Sequence, residues 1–228
     1  MSEIVTEQIR SAEFWRNSKG WVQQKLPLDE TGKTFRRNWF KKRNQVTFST
    51  YLTPRFDGTF PVQLLQIGVF EGMDLLWQHQ NTLTHNGSFS VGVDPWLGTP
   101  KFIKRWGAEE AQKFMDQTMR NAIDNLHKQP CVLHRALSHD KLPELAEAGQ
   151  TFNLIVIDGD HRADAVYQDM KDSLALSRPG TWWLMDDAEN RVRKKDHVRH
   201  GIDRFLKDFP GVVELVWKHK HCECYQVI

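Results

Sequence analysis

From Pro61 onward, short apolar runs alternate with longer mixed stretches. The runs are Val62–Val69, Ser88–Val93, Cys131–Leu133, Phe152–Ile157 and Thr181–Met185. They are nearly continuous in Val, Ile and Leu, the pattern of parallel strands covered on both faces rather than of a half-exposed sheet. The stretches between them predict helices over Gly72–Gln80, Ala108–His127, Leu142–Ala148, Ala163–Ser177 and His197–Phe209. Strands alternating with helices of this length imply βαβ units and an α/β fold. The end of the chain breaks the rhythm. Val212–Trp217 and Cys222–Ile228 are joined by a short polar link, which predicts an antiparallel hairpin completing a seven-stranded, mostly parallel sheet with helices on both faces.

The first part of the chain follows no such pattern. It is rich in Trp, Arg and Lys, as in Phe35-Arg36-Arg37-Asn38-Trp39-Phe40-Lys41-Lys42-Arg43, and its periodicity is broken. One or two short helices and a long irregular connection are expected there. The division is therefore an N-terminal segment, 1–56, serving as cap, lid or oligomer contact, and an α/β domain, 57–228. At 228 residues one such domain can bury a substantial core. A net charge of +2 calls for neither a nucleic-acid nor a membrane partner, and no apolar run approaches the roughly 18 residues that span a bilayer. Three cysteines, an odd number, argue against a disulfide framework, and Met1–Val5 does not read as a secretory leader, so a cytoplasmic location is expected.

In open α/β sheets, ligands bind beyond the carboxyl ends of the strands, so chemistry is sought just after each apolar run. After the first run, Gly68 and Gly72 bracket a turn into a helix. Glycines there let the backbone approach a ligand, and the helix start offers free N–H groups; a plain tight turn also explains them. The spacing is not Gly-x-Gly-x-x-Gly, and no Gly-Lys-Ser/Thr is present. After the second run stands Asp94, about twenty residues on, placed either to accept hydrogen bonds from a ribose diol or to cap the next segment. The two signals together favour a nucleoside-type cofactor.

These residues resemble the class I S-adenosylmethionine-dependent methyltransferases, a Rossmann-like family, and among them the small-molecule O-methyltransferases of the catechol and macrocin types. Leu64–Gly72 is similar to their first motif and Gly92-Val93-Asp94 to their second. Phe152–His161, containing Asp158-Gly159-Asp160-His161, resembles the fourth-strand signature, and Ser177–Asp187 the fifth. The likeness covers roughly residues 60–228. It implies that the turn with Gly68, Phe70, Glu71 and Gly72 cradles the methionine part of S-adenosylmethionine, that Asp94 holds the ribose, and that Ser138 and His139 contact the adenine. Gln66 stands where an acid is commoner; it can accept a hydrogen bond from the cofactor's amino group but adds no charge attraction. Trp96 either covers the adenine or belongs to the core.

Strands four and five lie side by side, roughly 4.8 Å apart, which should bring Asp158 next to Asp186 and Asp187. Carboxylates that close repel unless protonated or sharing a cation, and hard oxygen donors suit Mg²⁺ or another hard divalent ion. In relatives with this arrangement the metal chelates substrate oxygens and lowers the pKa of the hydroxyl to be methylated. Asp160 and His161 are then the candidate bases, with Asp158 the third catalytic residue. Capping of the following helices is the plainer account of these aspartates.

The expected activity is methyl transfer to a hydroxyl of a small molecule or sugar, assisted by a divalent cation. The alternatives are a metal-independent enzyme using Asp160 or His161, a non-catalytic nucleoside-binding module, and a nucleic-acid methyltransferase suggested by Arg36–Arg43 alone. The resemblance also implies a homo-oligomer paired through N-terminal elements. His219-Lys220-His221-Cys222-Glu223-Cys224 could be read as a soft-metal site, but a hairpin edge explains it better, with His221 and Glu223 on one face and Cys222 and Cys224 on the other. Arg191, Arg193, Lys194 and Lys195 are expected at the cleft entrance.

Overall fold

A computed structural model describes residues 11–16, 21–188 and 197–228. The seven strands are β1 (Gln63–Ile67), β2 (Phe89–Asp94), β3 (Cys131–Arg135), β4 (Leu154–Ile157), β5 (Trp182–Met185), β6 (Val213–His219) and β7 (Cys222–Val227). They form one sheet in the order β3-β2-β1-β4-β5-β7-β6. The first five pair in parallel, whereas β7 runs antiparallel to both β5 and β6. The expected Rossmann-like sheet with its terminal hairpin is therefore the fold. Strand order reverses between β1 and β4, which places the ligand crevice beyond Ile67 and Ile157.

The described residues form nine helices. In the N-terminal part they are α1 (Ala12–Arg16), α2 (Trp39–Arg43) and α3 (Gln45–Tyr51). Within the α/β domain they are α4 (Met73–Asn81), α5 (Pro100–Trp106), α6 (Ala108–Leu126), α7 (Ser138–Glu147), α8 (Ala163–Ala175) and α9 (Val198–Asp208). Helix α5 was not expected. Its apolar stripe is only one turn long, Phe102 and Trp106 packed on each other and on Phe114, and none of its residues is buried; the clearer signal is Thr99 as N-cap followed by Pro100 at the first helical position. Helix α7 starts at Ser138, four residues before the predicted Leu142, and carries Pro143 in its interior.

Alternate strand residues feed two cores. Leu64, Leu154, Trp182 and Cys224 face one, and Leu65, Ile155, Trp183 and Tyr225 the other. The second is closed by α7, α8 and α9 through Leu142, Met170 and Phe205. The first takes Phe40, Phe48, Leu52 and Phe56 from the N-terminal part, packed with Trp77. Phe40 and Phe48 each meet Trp77, with ring centroids 5.5 and 6.1 Å away. The broken periodicity of this part follows from its hydroxyl-rich α3, whose Ser49 takes the Leu26 N–H at 2.9 Å and donates to the Gln45 carbonyl at 2.7 Å. Among the described residues no helix is long and apolar enough to cross a membrane.

Candidate functional site

The turn after β1 is fixed by sterics. Gly68 has φ +85°, and a Cβ there would fall 2.0 Å from the Asp158 carbonyl oxygen, so only glycine lets the turn pass the end of β4. Gly72 ends the turn at φ +75° and begins α4 without a side chain to cap it, leaving first-turn N–H groups to other acceptors. Between them Phe70 sits at φ +51°, and across the crevice Trp96 sits at φ +43°. Both are conformations a non-glycine residue holds only under constraint.

Asp94 supplies the constraint. Its Oδ2 accepts from the N–H groups of Val69 and Phe70, each at 2.9 Å, and its Oδ1 from Trp96 at 2.7 Å. The Trp96 indole donates back to the Phe70 carbonyl at 2.9 Å. Burial raises the Asp94 pKa, against the lowering effect of these three bonds. Trp96 itself is buried and belongs to the first core.

Gln66 points into a polar cluster beneath the turn. Its Nε2 donates to the Gly68 carbonyl at 3.0 Å and to Asp74 at 3.1 Å, and Gln78 donates to Asp74 at 3.0 Å. Burial pushes the Asp74 carboxyl up to about 7. Sequence reasoning missed Asp74, because an acid in the first turn of a helix reads as ordinary dipole compensation. Glu71 is committed elsewhere. Its buried carboxylate takes Arg36 N at 2.7 Å, Arg36 Nε at 2.7 Å, Arg37 N at 3.2 Å and Asn121 Nδ2 at 2.9 Å. It thereby ties the N-terminal segment to the glycine turn.

Ser138 and His139 open α7. The Ser138 hydroxyl donates to buried Asp169 at 2.5 Å, and burial pushes Asp169 up to about 7. His139 is exposed and, with Arg162, Asp164, Ala165 and Gln168, lines a cavity of about 590 Å³.

The carboxylates lie beyond the next strand pair. Ile157 pairs with Met185, so Asp158 and Asp186 follow each other across the β4–β5 register. Burial and the charge of Asp186 push the Asp158 carboxyl up. His161 bridges two of the acids, with Nε2 3.3 Å from Asp158 and Nδ1 3.5 Å from Asp187, and its bond to Asp158 pushes the imidazole pKa up. Asp160 is engaged by Arg162, at 3.0 Å from the backbone N–H and 2.7 Å from Nε; burial would raise its pKa, but these bonds hold it down. Asp187 is held at φ +52° and meets Arg43 at 3.3 Å. Asp186 is held by three neighbours: Asn44 Nδ2 at 3.3 Å on Oδ2, and Cys222 Sγ at 3.2 Å and His221 Nε2 at 3.3 Å on Oδ1. Among the described residues, the trio of metal-ligating type whose donor atoms all lie within 4.8 Å of one another is Asp186, His221 and Cys222; Asp158 and Asp187 lie outside it. Arg191, Arg193, Lys194 and Lys195 lie outside the described residues.

A glycine turn, an acid closing β2 and acids closing β4 and β5, set on this strand order, define a class I S-adenosylmethionine-dependent methyltransferase. Residues 65–188, more than half of the chain, match the profile of a family described as a methyltransferase domain. The protein belongs to that family. No curated protein matches the chain. Among solved structures, the chain is similar to a provisionally assigned O-methyltransferase of Klebsiella pneumoniae (13% identity, 100% of this chain and 90% of that one, TM-score 0.53). It is also similar to the calicheamicin methyltransferase CalS11 (16%, 99% and 93%, 0.52) and to the O-methyltransferase NovP (16%, 73% and 72%, 0.53). At these identities the likeness is one of fold.

Proposed function

We propose that the protein transfers the methyl group of S-adenosylmethionine to a hydroxyl of a small molecule or sugar, with a divalent cation assisting. The observation that carries this reading is the convergence of Asp158, His161, Asp186 and Asp187 at the ends of β4 and β5, where the Gly68 turn packs directly on Asp158. The cofactor is a cation at its sulfur, and the acidic rim suits it. Its methionine part would lie along the Gly68–Gly72 turn at the start of α4. Its ribose would lie at Asp94, whose oxygens retain lone pairs beyond the three N–H bonds they accept. Its adenine would lie toward Ser138 and His139. Gln66, Phe70, Glu71 and Trp96 shape this site from behind, through their contacts with the turn, with Asp94 and with the N-terminal segment.

In the reaction an acceptor oxygen attacks the methyl carbon while the carbon–sulfur bond breaks, and the acceptor proton must leave. The hard oxygens of Asp158, Asp186 and Asp187 suit Mg²⁺, which when bound would lower the pKa of a coordinated hydroxyl. The metal-independent reading is favoured by one contact, the imidazole of His161 between Asp158 and Asp187. After releasing its own proton, His161 takes the acceptor proton while Asp158 orients the ring. Asp160, paired with Arg162, is the weaker base.

The N-terminal segment, 1–56, is proposed as the wall of the acceptor site and as the surface through which two copies would pair, with 57–228 as the transferase domain. A sugar acceptor is in keeping with CalS11, which is a TDP-rhamnose 3'-O-methyltransferase. The test is calorimetry with S-adenosylhomocysteine, followed by methyl transfer to a panel of hydroxyl acceptors with and without chelator. Micromolar binding with turnover supports the reading. Binding without any transfer would make the protein a nucleoside-binding module, and no binding at all would overturn both.

A further inference from the structure

We propose that Asp186, His221, Cys222 and Asn44 form a four-donor site for a borderline divalent ion of the Zn²⁺ or Co²⁺ kind. This site rests on the proposed function only in taking Asp186 as the anchor of a cation. It changes the ion, leaves out Asp158 and Asp187, and adds His221, Cys222 and Asn44.

Distance and donor type both support it. Around Asp186 Oδ1 stand Cys222 Sγ at 3.2 Å and His221 Nε2 at 3.3 Å. Asn44 Oδ1 lies 2.6 Å from the same His221 Nε2 and 4.0 Å from Cys222 Sγ. Donors held at about 2.0–2.3 Å around one tetrahedral ion are separated by about 3.3–3.8 Å. The His221–Asp186 separation matches, the Cys222–Asp186 separation falls just short, and the other two straddle that range. A thiolate and an imidazole with two oxygens form a set that selects zinc-like ions and disfavours Mg²⁺.

Strict strand alternation would put His221 and Cys222 on opposite faces. His221, however, belongs to the turn before β7, next to Lys220 at φ +53°, and is free of that alternation. Cys222 begins the strand, and both side chains reach Asp186.

The site is closed with protons in place of a metal. Cys222 donates to Asp186, Asn44 donates to the other oxygen of Asp186, and Nε2 of His221 donates to Asn44. Binding replaces the thiol proton with the ion, while the Nε2 proton of the neutral imidazole moves to Nδ1, so one proton leaves for each ion taken up. Because Asn44 joins α2 to α3, the ion also pins the N-terminal segment to the terminal hairpin.

The test uses the full-length protein, stripped of metal and titrated with Co²⁺. We expect one equivalent to bind with tetrahedral visible bands and a thiolate-to-cobalt charge-transfer band. Zn²⁺ should bleach both bands, and excess Mg²⁺ should leave them unchanged. Cys222→Ser should remove the charge-transfer band, and His221→Ala should weaken binding at least about tenfold. A wild-type protein without that band, or a band that survives Cys222→Ser, overturns the proposal, and the wild-type spectrum decides even if a variant fails to fold. Calorimetry with S-adenosylhomocysteine on the same samples separates the two readings. Heat without the band leaves the methyltransferase reading standing and removes this site; the band without heat does the reverse.

Discussion

The guanidinium of Arg36 closes on the buried carboxylate of Glu71, with Nε 2.7 Å from Oε1, and the backbone N–H of Arg36 reaches Oε2 at 2.7 Å. The same guanidinium lies over the Phe114 ring, 4.0 Å from its centroid, and bonds to Thr118. One residue of the N-terminal segment is thus clamped to both the glycine turn and α6. Removing the acid strands a cation and two backbone N–H groups, so Glu71→Ala should cost about 3 kcal/mol or more. Chemical denaturation measures this, and a loss under about 1 kcal/mol would refute the clamp.

Asp94→Ala should act on the cofactor in two ways. It removes the proposed ribose acceptor and frees Val69, Phe70 and Trp96 from the bonds that hold the left-handed residues in place. S-adenosylhomocysteine affinity should fall by at least about 100-fold, the scale of two charge-assisted hydrogen bonds. Calorimetry showing unchanged affinity would remove Asp94 from the binding site.

Trp39 stacks on Phe70, with centroids 4.8 Å apart and rings tilted by 31°, yet is 53% exposed. An exposed indole over the proposed cofactor turn suits acceptor contact better than core packing. Trp39→Ala should raise the acceptor KM several-fold, shift stability by no more than about 1 kcal/mol, and leave S-adenosylhomocysteine affinity near wild type. Equal losses in KM, stability and cofactor affinity would mean that the ring is structural.

His79 gives the fold a pH dependence apart from the site. It is buried, with Nε2 2.8 Å from the Ser90 hydroxyl, and burial pushes its pKa down to about 4. The unfolded chain takes up this proton near 6.5 and the folded one does not, so the contribution is present above about 6.5 and is lost as pH falls toward 4. By pH 5 the loss is about 2 kcal/mol. Asp74 and Asp169, both pushed up to about 7, act oppositely, favouring the fold at low pH and losing that advantage as pH rises through 7. The measurement is therefore the stability difference between pH 7 and pH 5 in wild type minus that in His79→Gln. A value near zero would mean that His79 titrates normally.

The sheet was legible because parallel strands buried on both faces leave unbroken apolar runs, and Leu154–Ile157 and Trp182–Met185 emerged within two residues of expectation. Glu71 shows the limit. Its place in a motif-like stretch suggested the cofactor, whereas its partners come from Arg36 and Asn121, 35 and 50 residues away, and no local pattern encodes such a pairing. The meeting of Asn44, Asp186 and His221 was hidden in the same way, since it joins the first segment, the fifth strand and the final hairpin. Helix α5 was missed for the opposite reason: its apolar stripe, Phe102 and Trp106, is a single turn long, too short to show a period beside Thr99 and Pro100.

Arg36 and Arg43 fasten the N-terminal segment along two edges of unequal strength. At the Arg43–Asp187 edge the arginine is 56% exposed, and such a contact is worth about 1 kcal/mol or less. At the Arg36–Glu71 edge the acid is 1% exposed and bound four times over. Arg43 can therefore leave Asp187 at little cost while Arg36 stays bound and Phe40 and Asn44, on either side of Arg43, stay buried. The weak edge is thus the one beside the carboxylates, and the strong edge is the one against the glycine turn.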